Sequence, residues 1–133
     1  TYNPSQRMWR HELERRFRQS LGVSACRRVL FVPSLAKPAF YSLLQSADVV
    51  LDTYPFGGGV TALEALAAGT VVVTVPSRQT APQLAAGMYR RMGLHDMVSH
   101  SAEHAVDRAL RLADDKAFRQ QELDRLRSRL PLL

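Results

Sequence analysis

The sequence predicts an α/β fold, a doubly wound layer in which a parallel sheet is flanked by helices, and three observations predict it. Short aliphatic and β-branched runs alternate along the chain with segments of helical periodicity. One run, "TVVVTV" at residues 70–75, is almost continuous in apolar residues, as a parallel strand covered on both faces requires. Hydrophobic residues make up 46% of the chain and aromatics only 8%, which suits an aliphatic interior built from such strands.

The elements follow in order. After "NPS", with Pro4 tolerated in a first turn, Met8, Trp9, Leu13 and Phe17 recur at helical spacing, which predicts a helix to about Leu21 closed by Gly22. The run "RRVLFVP" predicts a buried strand over Val29–Val32, ended by Pro33. A short helix over Ala39–Ser46, a strand over Val49–Leu51 and a helix over Thr61–Ala68, stopped at Gly69, lead into the strand at residues 70–75. A fourth helix is expected over Ala81–Met92 with Gly93 at its end, then a short edge strand at Met97 and Val98. Ser101 is the expected N-cap of a helix over Ala102–Ala113, and Asp114 or Asp115 that of a last helix over Ala117–Leu130. Alternation of this kind implies right-handed crossovers. Three firm strands are few for such a sheet, so the chain is expected to be one partial domain, 1–133, with 101–133 as its C-terminal helices and further strands upstream of Thr1.

Composition narrows the function classes. The net charge of +6 arises from 18 Lys and Arg against 12 Asp and Glu, which raises the question of nucleic acid. The arginines of the first and last helices interleave with Glu12, Glu14, Glu122 and Asp124, a pattern of solvated helix faces, and no RNA-binding aromatic sheet motif is present. Nucleic acid is therefore not the expected partner. A single cysteine, Cys26, excludes an internal disulfide framework and a multi-cysteine zinc site, and its default reading is an inert thiol. His100 and His104 have a chelating spacing with His95 close by, yet no HExxH pattern accompanies them, so surface histidines are expected and no metal. With no apolar run of membrane-spanning length and no signal-peptide pattern, the chain is expected to be soluble and cytoplasmic or nucleocytoplasmic.

The stretch that carries chemistry is "VVLDTYPFGGGVTALEAL", residues 49–66. In an open parallel sheet ligands bind beyond the carboxyl ends of the strands, and this segment places Gly57, Gly58 and Gly59 there, ahead of a helix N-terminus. Backbone N–H groups freed by the glycines, with the positive end of the helix dipole behind them, make an anion site suited to a phosphate or diphosphate. No Walker lysine follows and the GxGxxG spacing is absent, so a plain strand-to-helix turn competes with that reading. Thr61 and Glu64 are equally two-sided. T-x-x-E is the capping-box pattern, in which neither side chain touches ligand; alternatively Thr61 donates to a phosphate oxygen and Glu64 accepts from two ribose hydroxyls.

The segment Lys37–Pro76, "KPAFYSLLQSADVVLDTYPFGGGVTALEALAAGTVVVTVP", resembles the C-terminal nucleotide-sugar-binding domain of GT-B glycosyltransferases. Within these it is similar to the O-GlcNAc transferase-like family, which includes SPINDLY enzymes and bacterial protein glucosyltransferases. The "ADVVLDT" strand, the glycine loop, the threonine, the helical acid and the "AGTVVVT-P" segment fall in the family's order and spacing, with weaker similarity over roughly Val29–Leu94. The resemblance implies a Rossmann-like sheet, the C-terminal half of a GT-B enzyme lacking its first strands.

It also implies roles. Glu64 would hold the ribose, Thr61 the diphosphate and Lys37 the neighbourhood of the base. Phe40 falls where these enzymes stack a histidine on uracil, though on its own residues it reads as a core position of the short helix; Tyr41 takes the role if the register slips by one. Gly59 and Val60 stand where O-GlcNAc transferases carry a histidine and a threonine, leaving the backbone of Gly58 and Gly59 to compensate. Asp52 and Thr53 are assigned to shaping the loop. The implied reaction is metal-independent sugar transfer from UDP-GlcNAc, UDP-glucose or GDP-fucose to a protein acceptor held by a domain outside this chain. No catalytic residue is expected within it, and the fragment alone is expected to be inactive. Two other readings stay open: a retaining GT-B enzyme, although Pro55 fills the position where that group sets an acid before Phe56–Gly57, and a non-catalytic nucleotide- or RNA-binding interaction module.

Overall fold

The computed structural model describes residues 4–77 and 83–133, which divide into two compact units, Thr1–Lys37 and Pro38–Leu133. The first unit is dominated by helix α1 (Pro4–Cys26), broken where Gly22 adopts φ 77° and ψ 167°. A side chain at that φ would be strained, which is why a glycine sits at the break. Along α1, Arg10 pairs with Glu14 at 2.7 Å, and Glu12 with Arg15 at 2.7 Å and Arg16 at 2.8 Å. The two arginines hold the Glu12 carboxyl down at about 2.

Val29–Val32 is not a strand. Val29 N–H closes back on Cys26 O at 3.1 Å, and beyond it half-buried Val29 and Phe31 alternate with exposed Leu30 and Val32. The period of two is present, but a strand also needs a neighbour to complete its ladder, and among the described residues this segment has none. Phe31 stacks instead on Phe17 of α1, ring centres 6.2 Å apart.

The second unit contains the sheet. Helix α2 (Lys37–Ser46), which opens on the last residue of the first unit, leads to β1 (Val50–Leu51), then α3 (Gly59–Ala67), β2 (Val72–Val73) and α4 (Gln83–Arg91). The expected helix positions Ala81 and Pro82 lie outside the described residues. A short 3-10 turn (His95–Met97), α5 (Ala102–Asp114), α6 (Lys116–Arg129) and a second 3-10 turn (Leu130–Leu132) follow. β1 and β2 are parallel with Val50 opposite Val72 and Leu51 opposite Val73. The expected edge strand shrinks to one parallel bridge, Val98 to Thr74, because Met97 is drawn fully buried into the 3-10 turn.

Two glycines set the helix-to-strand exits. Gly69 (φ 83°) and Gly93 (φ 72°) take the left-handed conformation that lets Thr70 N–H reach Ala65 O at 2.9 Å and Leu94 N–H reach Tyr89 O at 2.8 Å, capping α3 and α4. Ser101 and Asp115 cap α5 and α6 as expected, accepting from His104 N–H at 3.1 Å and Phe118 N–H at 2.9 Å. The core gathers Leu66 of α3, Val71–Val73, Tyr89, Met92, Met97, Leu112 and Leu126 around the sheet. Buried with them is Glu122 of α6, which accepts from Arg108 of α5 and from Arg125 at 2.7 Å; Arg125 also forks onto Asp96 with both bonds at 2.8 Å. That network fastens α5, α6 and the 3-10 turn to one another.

Candidate functional site: the glycine loop at the start of helix α3

The site is built at the carboxyl ends of the strands. β1 hands over to Asp52, whose N–H still belongs to the ladder through Val73 O at 2.9 Å. Its carboxylate then turns to the loop, accepting from Gly58 N–H at 2.8 Å through Oδ1 and from the Thr74 hydroxyl at 2.8 Å through Oδ2. Thr53 Oγ1 donates to Phe56 O, and the Tyr54–Pro55 peptide is cis. Asp52 and Thr53 thus shape the loop, as the sequence indicated.

Helix α3 starts at Gly59 with Gly58 as its N-cap (φ −89°, ψ 97°) and no side chain capping it. This overturns the capping-box reading of Thr61 and Glu64. The helix begins two residues before Thr61, because the N-cap position is filled by a glycine whose own N–H is satisfied by Asp52 from outside the helix. The first helical bond runs from Ala62 N–H to Gly58 O at 2.9 Å, so the N–H groups of Gly59, Val60 and Thr61 carry no hydrogen bond among the described residues. Thr61 is exposed, and the carboxylate of Glu64, half-buried three residues on along the same face, has no hydrogen bond or ion pair among the described residues. Gly57 is buried beneath this turn.

Gly59 has a steric reason of its own: a Cβ there would lie 2.8 Å from Leu84 Cδ1 of α4. Leu84 occupies the volume that a residue-59 side chain would take.

The structure therefore brings Gly57, Gly58, Gly59, Thr61 and Glu64 together at one helix start, with one correction: the Gly58 amide is donated inward to Asp52. Lys37, exposed at the first position of α2, belongs to the first unit. Phe40, one turn further on, packs partly buried against the core, and Tyr41 is half-buried. Sequence reasoning missed Thr74 and Leu84. Thr74 had a signal, a hydroxyl inside an otherwise aliphatic strand; Leu84 had none, since its contact with Gly59 joins two helices.

Beside the loop a cavity of about 650 Å³ opens between the strand ends and α5, lined mainly by apolar groups such as Leu51, Tyr54, Val73, Ala105 and Val106, with Asp52 at its margin. His100 and His104 lie tilted against each other at the start of α5 with ring centres 4.1 Å apart, and among the described residues no group of three or more potential metal ligands occurs. No helix among the described residues is long and apolar enough to cross a membrane.

Comparison with known proteins shows the family and the fold. The family model described as glycosyl transferase family 41 matches residues 11–130, nearly the whole chain. The chain belongs to glycosyl transferase family 41. It is 32% identical over 88 residues to a UDP-N-acetylglucosamine–peptide N-acetylglucosaminyltransferase of Caenorhabditis elegans, covering 66% of this chain and 8% of that protein. To a probable UDP-N-acetylglucosamine–peptide N-acetylglucosaminyltransferase SPINDLY of Solanum lycopersicum it is 32% identical over 75 residues, 56% of this chain and 8% of the relative. A K341M mutant of Thermobaculum terrenum O-GlcNAc transferase superposes with a TM-score of 0.83 at 27% identity, over 97% of this chain and 24% of that one. The family-41 chain thus spans a small part of the length of the relatives it matches, and its mostly helical α/β fold with a small parallel sheet is the fold of the corresponding part of the Thermobaculum enzyme.

Proposed function

We propose that this family-41 chain forms the donor-binding part of a protein glycosyltransferase, with a nucleoside-diphosphate sugar seated at the start of α3. The observation that carries the proposal is the row of three N–H groups, Gly59, Val60 and Thr61, unpaired among the described residues, at the positive end of a helix lying beyond the strand ends. The carboxylate of Glu64 on the same helix supports a ribose contact, since a half-buried acid without a partner among the described residues is suited to accept from a diol. In this reading Gly57, Gly58 and Gly59 shape the diphosphate cradle, the Thr61 hydroxyl donates to it, and Lys37 and Phe40 serve the base.

A hydroxyl or amide of the protein acceptor attacks the anomeric carbon and releases its proton to the departing diphosphate or to solvent, the glycosidic C–O bond to the diphosphate breaks, and the nucleoside diphosphate leaves with the bonding electrons. Charge accumulates on the departing diphosphate, and preorganised N–H donors backed by a helix dipole stabilise it without a metal ion. The acceptor and the remaining catalytic groups come from parts of the protein outside this chain.

The arginines of the terminal helices support this reading over a nucleic-acid-binding module, because many are already spent: Arg10, Arg15 and Arg16 on α1 acids, Arg119 on Asp48 at 3.1 Å, and Arg125 on Asp96 and Glu122. The test is transfer by the full-length protein from UDP-GlcNAc, UDP-glucose and GDP-fucose, each labelled in the sugar, to proteins of the source cell. Label on protein from one donor is the expected result, and no transfer from any nucleotide sugar by a folded full-length protein would overturn the reading.

A further inference from the structure

The loop contains an acid in an unexpected place. Asp52 stands beside the proposed diphosphate cradle, where an idle carboxylate would repel the ligand. It is not idle: both oxygens are engaged, Oδ1 by Gly58 N–H at 2.8 Å and Oδ2 by the Thr74 hydroxyl at 2.8 Å. Thr74 is 1% exposed and is fixed in turn at the strand end, where Ser99 N–H donates to its carbonyl at 3.0 Å. One side chain thus joins the end of β1, the end of β2 and the peptide that leads into α3.

We infer that Asp52 is a positioning residue for the donor: by holding the Gly58 amide it sets the direction in which the next three amides, Gly59, Val60 and Thr61, present their N–H groups. Gly58 carries this function because its N–H, at the N-cap, is the last one before the helix geometry takes over. With the bond in place both peptides that flank the Gly58 Cα are held, the Gly57–Gly58 peptide through its N–H on Asp52 and the Gly58–Gly59 peptide through its carbonyl, which accepts from Ala62 N–H at 2.9 Å. The three amides, unpaired among the described residues, are then held in place before any ligand arrives, so the donor does not have to order the loop. The Asp52 charge, drawn onto two donors on the inner side of the loop, is compensated where it lies. This role deepens the proposed function and rests on it.

The test uses the full-length protein with UDP and GDP as probes, measured by calorimetry, and the donor and acceptor KM. Asp52→Ala is expected to weaken binding of the nucleoside diphosphate by about tenfold and to raise donor KM with acceptor KM unchanged. Asp52→Asn keeps both bonds, its carboxamide oxygen accepting from Gly58 and its NH2 donating to Thr74, so it is expected to rescue the affinity to within about threefold of wild type. If Asp52→Ala fails to fold, Thr74→Val provides the second variant, releasing the carboxylate at Oδ2 alone, and is expected to show the same donor-specific weakening to a smaller degree. A purely structural Asp52 would lower the melting temperature and leave nucleotide affinity of the folded variant unchanged, which overturns the inference. Equal loss in Asp52→Asn and Asp52→Ala overturns it as well, since charge rather than geometry would then govern. Wild-type binding with undiminished affinity in the variants sinks this inference alone, whereas a wild-type protein that binds neither nucleotide sinks the proposed function with it.

Discussion

Tyr89 holds Val72 by both of its backbone polar groups: the phenol donates to Val72 O at 2.8 Å and accepts from Val72 N–H at 2.9 Å. β1 engages the carbonyls of Val71 and Val73, so Val72 faces the other edge of β2, where pairing with the next segment starts only at Thr74. One side chain from α4 thereby does for the ladder what a longer edge strand would otherwise do. Burial pushes the phenol's pKa well above its ordinary value, so the hydroxyl keeps its proton throughout the working range.

Replacing that hydroxyl strands two buried backbone groups. Tyr89→Phe is expected to destabilise the protein by about 1–3 kcal/mol, read as a lower urea midpoint with an unchanged slope. The aromatic packing survives, so a loss near zero would show that water satisfies Val72.

Glu122 is 2% exposed and serves two arginines, one of which, Arg108, is itself only 10% exposed. Glu122→Ala leaves the Arg108 charge buried without its partner, an expected cost of about 3–5 kcal/mol. Chemical denaturation of the variant checks it, and double replacement of Glu122 and Arg108 by Leu and Met should recover most of the loss.

Acid should loosen the same region from its rim. Hydrogen bonding to Arg125 holds the Asp96 carboxyl below the usual carboxylate range, so the folded protein favours its ionised form. The resulting stability is complete above the unfolded carboxyl's pKa of about 4 and is lost as pH falls through the lower folded value. Asp96 is largely exposed, which keeps the contribution small. The stability difference between wild type and Asp96→Asn should therefore be constant near neutrality and shrink below that pH.

Two glycines should respond in opposite ways to alanine. At Gly69, φ 83° makes any side chain strained, and Gly69→Ala is expected to cost about 1–2 kcal/mol. At Gly59 the one close neighbour among the described residues is the free end of Leu84, which can swing aside, so Gly59→Ala should lie within about 1 kcal/mol of wild type. Thermal unfolding of the two variants side by side decides the matter.

How much of this could be read in advance depends on how far each determinant lies along the chain. The caps Ser101 and Asp115 and the exits Gly69 and Gly93 were legible because each acts on groups a few residues away. The T-x-x-E pattern left two readings open for the opposite reason: the group that satisfies the start of α3 is Asp52, six residues before Gly58 and across a loop, where a four-residue pattern has no reach. Val29–Val32 is the short β-branched run of a buried strand, but such a run records a preference of the side chains and says nothing about a partner for the backbone. The glycines, Thr61 and Glu64 were found together because a single loop and helix turn carry them, whereas Lys37 and Phe40 stand apart in sequence, and their relation to the loop was implied by family resemblance alone.

The central claim is that the start of α3 holds a nucleoside diphosphate. Its most direct test is calorimetric titration of the full-length protein with UDP and with GDP, in wild type and in Glu64→Ala. Because Glu64 has no partner among the described residues, its removal should leave the melting temperature unchanged. Saturable binding of one nucleotide by wild type, weakened by about tenfold to a hundredfold in Glu64→Ala, is the result the account requires. Equal affinity in the two folded proteins, or no binding of either nucleotide by wild type, would contradict it.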